Sequence, residues 1–187
     1  MSRAYRIKLS RDVTQTIHVE DGVETRLPIL QVEDPEQIRV RLRAELSERG
    51  FEAQDGVWVR VEEDGVEITV DPETCKVQVR LAADAQVELS ERGEVRSYNP
   101  DDAGAKAQLE KQLDGRIERR TEMEEDRLRA KVTEHLEGRL ADLREELNRI
   151  ANKVTADGVK AWAQRMGEVV EVQEDEETGS VSIKVEV

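Results

Sequence analysis

The stretch FEAQDGVWVRVEEDGVEITVDPETCKVQVRL, residues 51–81, alternates apolar and polar residues through three runs separated by turn chemistry. Val57, Val59 and Val61 form one set, Val66, Ile68 and Val70 a second, and Val77, Val79 and Leu81 a third. Successive side chains of a strand point to opposite faces, so period-two alternation marks a strand with one buried face. Asp55-Gly56, Asp64-Gly65 and the segment Pro72 to Cys75 supply the turns, and Asp-Gly between alternating runs is a strong hairpin signal. The reading is an antiparallel meander with one apolar face, built from all of these valines, and one wet face.

Upstream, AYRIKL (4–9) alternates Tyr5, Ile7 and Leu9 with basic residues, and TIHVEDGVETRL (16–27) reads as a further hairpin turning at Glu20-Asp21-Gly22. Between these strands and the meander lies a helix with full punctuation. Asp34 stands at the capping position, Pro35 at the first helical position and Gln37 where a capping box closes. Ile38, Leu42 and Leu46 make its apolar stripe, and Gly50 followed by Phe51 ends it. Residues 1–98 are therefore expected to form an antiparallel α+β domain in which this helix covers one face of the sheet.

From Asn99 the period changes. Asn99-Pro100-Asp101-Asp102 reads as a helix start, with carboxylates at the positive end of the dipole. Leu109, Leu113 and Ile117 step by four, as do Leu128, Val132, Leu136 and Leu140. Then Leu140, Leu143, Leu147, Ile150 and Val154 alternate steps of three and four, the seam of a coiled coil. Residues 99–166 are expected to be a long helical rod, either continuous or broken near 118–127 or 155–158. The rod is zwitterionic: residues 100–166 hold 14 Lys/Arg and 15 Asp/Glu, against 14 and 21 in 1–99 and 1 and 7 in 167–187.

The chain closes with EDEETGSVSIKVEV (174–187), a near-double of VDPETCKVQVRL (70–81). Residues 167–187 are therefore expected to form a C-terminal β-hairpin. A lone two-stranded hairpin is marginal in water, so the apolar positions Val170, Val172, Val181, Ile183 and Val185 need cover, from Trp162 and Met166 of the preceding helix and from another polypeptide. The candidate interaction residues are accordingly Leu140, Leu143, Leu147, Ile150, Val154, Trp162, Val181, Ile183 and Val185.

Composition limits the function. A net charge of −14 repels nucleic acid. No apolar run approaches the length of a membrane span and the opening MSRAYRIKLS lacks the core of a signal peptide; with one cysteine, the expectation is a cytoplasmic protein, bacterial or archaeal. Catalytic chemistry has no residues to rest on. His18 and His135 belong to no metal-binding or catalytic motif, Cys75 sits in a tight turn, and there is no phosphate loop, nucleophile elbow or Cys-x-x-Cys. The carboxylates Glu62, Glu63 and Asp64, and Glu174 to Glu177, fall in turns where charge is solvated, without the spacing of a calcium loop. No enzyme activity, cofactor or metal is expected.

MGEVVEVQEDEETGSVSIKVEV after a helix resembles the terminal helix and hairpin of small proteins found with AAA+ ATPases in bacterial multi-component systems, including ternary systems centred on an FtsH-like ATPase. The opening MSRAYRIKLSRDVTQTIHVEDGVETRLPIL resembles the start of accessory domains from the same systems. The resemblance implies a non-enzymatic accessory or adaptor component whose partner is an AAA+ ATPase, and it carries no functional residues with it. The alternative is a self-associating coiled-coil structural protein, a homo-oligomer through the rod with no ATPase partner.

Overall fold

A computed structural model of the protein describes residues 5–175 and 180–186. The elements run β1 (Tyr5–Arg26), α1 (Pro35–Glu48), β2 (Glu52–Gln54), β3 (Val57–Val61), β4 (Glu67–Asp71), β5 (Lys76–Ser97), α2 (Ala103–Met166), β6 (Glu168–Asp175) and β7 (Ser180–Glu186). The class is α+β. Five strands form one sheet in the order β1-β5-β4-β3-β2, and β6 and β7 form a second sheet by themselves. Helix α2 runs its 64 residues as one element. No helix among the described residues is long and apolar enough to cross a membrane.

The chain divides into two compact units. The first comprises residues 5–20 and Ala82–Glu134, and holds parts of β1, β5 and α2. Along its strands odd positions are buried or half-buried, apart from the exposed Tyr5 and Arg11, and even positions are exposed. The buried side chains include Ile7, Ile17, Val19, Leu89, Leu109, Leu113, Ile117 and Val132. Gly93 is where helix meets strand: a Cβ there would stand 2.8 Å from Leu109 Cδ1 and 3.2 Å from Leu113 Cδ2. Ion pairs Arg11–Asp114 (3.1 Å) and Arg120–Glu91 (2.9 Å) flank that contact.

The second unit comprises Asp21–Leu81 and residues 135–186. Its core is Leu27, Ile38, Leu42, Leu46, Phe51, Val66, Ile68, Val70, Val77, Val79 and Leu81, joined by Leu143, Leu147, Ile150 and Val154 of α2. The sheet is thus covered by the second half of α2 as well as by α1. Turn residues behave as their chemistry requires: Asp55 and Gly56 both take positive φ (48° and 90°), as do Gly65 (86°), Cys75 (54°) and Gly50 (79°).

Four sequence expectations need correction. Glu20-Asp21-Gly22 is no turn: β1 passes straight through it. Gly22 is there because a neighbouring backbone approaches closely, and a Cβ would lie 2.7 Å from the Val79 carbonyl oxygen. Val57, Val59 and Val61 do not share the face of the other valines. Register pairs Trp58 with Val70 and Arg60 with Ile68, so Trp58 and Arg60 look toward the helices, while Val57 and Val59 are half-buried and Val61 is 63% exposed on the opposite face. Helix α2 begins at Ala103, not Pro100, because Asp102 is the cap: its Oδ1 accepts the Ala105 N–H at 3.0 Å. Asp34 precedes α1 but makes no side-chain cap hydrogen bond, so the expected capping box is not formed.

Candidate functional site

The seam residues lie inside the second unit. Leu143, Leu147, Ile150 and Val154 are buried, and half-buried Leu140 lines a cleft with Leu143, Leu147, Val23, Leu27 and Val79. A heptad stripe on a charged helix is equally an ordinary way to pack on a sheet, and that is its use here. Farther along, small residues Ala151, Ala156 and Ala163 are buried. Gly158 lets Val32 and Glu33 approach, a Cβ there standing 2.9 Å from Val32 Cγ2.

At the end of α2 the character changes. Trp162 is 49% exposed and Met166 52%, and beyond them Val170 and Val172 are also exposed. In the hairpin Val172 pairs with Ile183 and Val169 with Val185, with a bulge between Val169 and Glu171. Ile183 is half-buried. Val181 and Val185 belong to β7 by backbone, but their side chains lie outside the described residues, as do residues 176–179, where the likeness to 70–81 predicts the hairpin turn. Trp162, Met166, Val170 and Val172 thus leave apolar surface exposed on a helix end and the strand after it. Trp is enriched at the energetic centres of protein interfaces.

A polar clamp holds this helix to the sheet. Arg60, on the helical face of β3, gives Nη1 to Glu146 Oε1 at 2.7 Å and Nη2 to Oε2 at 2.8 Å, and reaches Glu62 at 2.6 Å. Its Nη1 also donates to the Arg49 carbonyl at 3.1 Å, and its guanidinium lies 4.6 Å from the Phe51 ring centre. The hydrogen bond from Arg60 holds the Glu146 carboxyl below its usual range against the opposing pull of burial, and the same bond raises Arg60. About three turns earlier on α2, His135 Nε2 lies 3.0 Å from Asp64 Oδ2. Arg139 brings Nε within 3.0 Å of the same oxygen, aligned for charge attraction but not for a hydrogen bond. Burial pushes Asp64 upward, yet His135, the Val66 N–H and Arg139 together keep it below its ordinary value.

A second lock closes on Glu33, whose side chain has no exposed surface. Arg41 Nε donates to it at 2.7 Å and Arg165 Nη2 at 3.1 Å. The bond to Glu33 also raises Arg41. The last turn of α2, which carries Trp162 and Met166, is thereby tied to the segment before α1. Sequence reasoning missed both devices. Their place in a turn predicts that Glu62 and Asp64 are solvated, but their side chains are only 25% and 27% exposed; Arg60, at an even position of β3, is the signal the sequence offers.

His18 Nδ1 lies 2.7 Å from Asp84 on an exposed strand face. Cys75 is half-buried in its turn, and burial followed by the Asp71 charge pushes its thiol up, away from the reactive thiolate. No group of three or more His, Cys, Asp or Glu side chains is placed to hold a metal among the described residues.

A family model described as FtsH ternary system domain X5 matches residues 1–187. No curated protein and no solved structure matches the chain.

Proposed function

The chain belongs to the FtsH ternary system domain X5 family, and from that premise we propose that it is a non-enzymatic adaptor of an AAA+ ATPase-centred system, acting in the cytoplasm through its C-terminal helix end and hairpin. Family membership supplies the setting, an accessory role with protein partners. The observation that carries the finer reading is the exposed group Trp162, Met166, Val170 and Val172, held on a helix end locked through Arg165 and Glu33. A preorganised aromatic anchor among aliphatic side chains is what a protein contact uses. Burial of Leu143, Leu147, Ile150 and Val154 within one chain favours this over the coiled-coil stalk, whose seam would need those same side chains.

The test is co-purification of the full chain with the FtsH-like ATPase of its own host. Wild type should retain the ATPase, and Trp162→Asp and Val172→Asp should each reduce recovery at least tenfold with unchanged circular dichroism, since removing one central anchor costs about 2 kcal/mol or more. Undiminished recovery with both variants would refute the assignment of this surface.

A further inference from the structure

We propose that the basic strand face of the first unit receives the acidic terminal hairpin of a second copy of this chain. The alternation along β1 and β5 places Arg6, Lys8, Arg92 and Arg96 at exposed even positions. Lys8, Ser10, Arg92, Glu94 and, from α2, Arg116 line one open depression with Leu9 and Gly93. Arg11 and Arg120 of the same unit are paired with carboxylates. Arg6, Lys8, Arg92, Arg96 and Arg116, by contrast, have no ion-pair or hydrogen-bond partner among the described residues. The exposed even positions here hold Arg6, Lys8, Arg92 and Arg96 against Asp12, Glu88 and Glu94, and Arg116 adds a further cation to the depression, a local positive excess in a chain whose net charge is −14.

The chemistry of the lining selects the occupant. None of the residues lining the depression is aromatic, the chain's net charge of −14 disfavours a nucleic acid, and a spread of long cationic side chains on a strand face suits several spaced carboxylates. The segment that offers these is 167–187, with seven acidic residues and one lysine. Glu171 and Glu186 of the hairpin are exposed, and the hairpin belongs to a sheet of its own, apart from the five-stranded one. Every copy carries one basic face and one acidic hairpin, so the contact joins unlike surfaces: two copies exchange hairpins reciprocally about a twofold axis, or further copies add head to tail.

Sedimentation of the full chain over a concentration series tests this. Average mass should rise with concentration at 50 mM salt, and the association constant should fall at least tenfold by about 500 mM, where the screening length is only a few ångströms. Lys8→Glu with Arg92→Glu should abolish association, as should Glu171→Lys with Glu186→Lys. Mixing the two double variants should restore it, because each supplies the complement of the other; restoration also excludes misfolding as the cause. Lys131→Glu with Arg144→Glu, of equal charge change, should leave association within about twofold of wild type. A wild-type chain that stays monomeric at low salt, or association that survives the reversal of Lys8 and Arg92, would overturn the proposal. Neither result depends on the ATPase contact.

Discussion

Arg60 and Glu146 meet in a two-pronged ion pair, at 2.7 and 2.8 Å, that ties α2 to β3. Their side chains are 18% and 28% exposed, so the pair is shielded enough to matter, and its strength is best seen by removing one partner alone. Glu146→Ala leaves a guanidinium in a shielded site with Glu62 as its remaining carboxylate, which should cost about 2 kcal/mol. Arg60→Leu combined with Glu146→Leu leaves no stranded charge at this pair and should cost less than Glu146→Ala. Urea unfolding of the three proteins checks the order.

The same carboxylates set a pH dependence. Glu146, through Arg60, and Asp64, against its burial, ionise more readily folded than unfolded. Groups with a depressed folded pKa contribute their stabilisation fully above the unfolded value and lose it as pH falls through the folded one. Melting temperature should therefore be nearly flat from about pH 8 to 5 and fall below about pH 4. In Glu146→Gln the acid branch should be shallower, because that group no longer takes up a proton on unfolding. An equally steep branch in the variant would show that Glu146 is not a contributor.

Three glycines of α2 have opposite expected responses. Nothing lies within 4 Å of a Cβ built at Gly115 or Gly138, so Gly115→Ala and Gly138→Ala should each stabilise by up to about 1 kcal/mol through helix propensity. At Gly158 the added Cβ meets Val32 Cγ2 at 2.9 Å. That methyl belongs to a β-branched side chain with little freedom to move, so Gly158→Ala should gain nothing or lose stability. Thermal melts of the three single variants decide it.

What the sequence made legible follows from signal strength. The meander at 57–81 and α1 were readable because bulky β-branched and leucine positions, glycine turns and a helix stop coincide there. The exposed hairpin was readable for the same reason. The far half of β5 was not: its inward positions include Ala83, Ala85, Glu91 and Gly93, too small or polar to register as alternation, so the strand was ended at Leu81 and its packing on Leu109 and Leu113 was invisible. The clamp was missed because a charged residue within a valine run, Arg60, was counted as the wet face when its partner Glu146 is 86 residues away.

Cys75 occupies a left-handed position, φ 54°, where glycine carries no steric penalty. Cys75→Gly should be neutral or stabilise slightly, the lost burial of a half-buried thiol offsetting the relieved backbone. A loss beyond about 1 kcal/mol in urea unfolding would assign the side chain a packing role that its exposure does not suggest.

Gly22 separates two explanations of one dipeptide. In a hairpin turn asparagine substitutes for glycine with little loss, because both tolerate positive φ. In a continuous strand facing the Val79 carbonyl at 2.7 Å from the would-be Cβ, no side chain fits without displacing backbone. Gly22→Ala and Gly22→Asn should therefore both destabilise, by about 1 to 3 kcal/mol, and by similar amounts. Amide exchange would report where: the protection lost should be centred on Gly22, Val79 and Arg80, the residues that the added atom strikes. If Gly22→Asn were harmless while Gly22→Ala was not, the segment would be a turn, and β1 would end at Glu20.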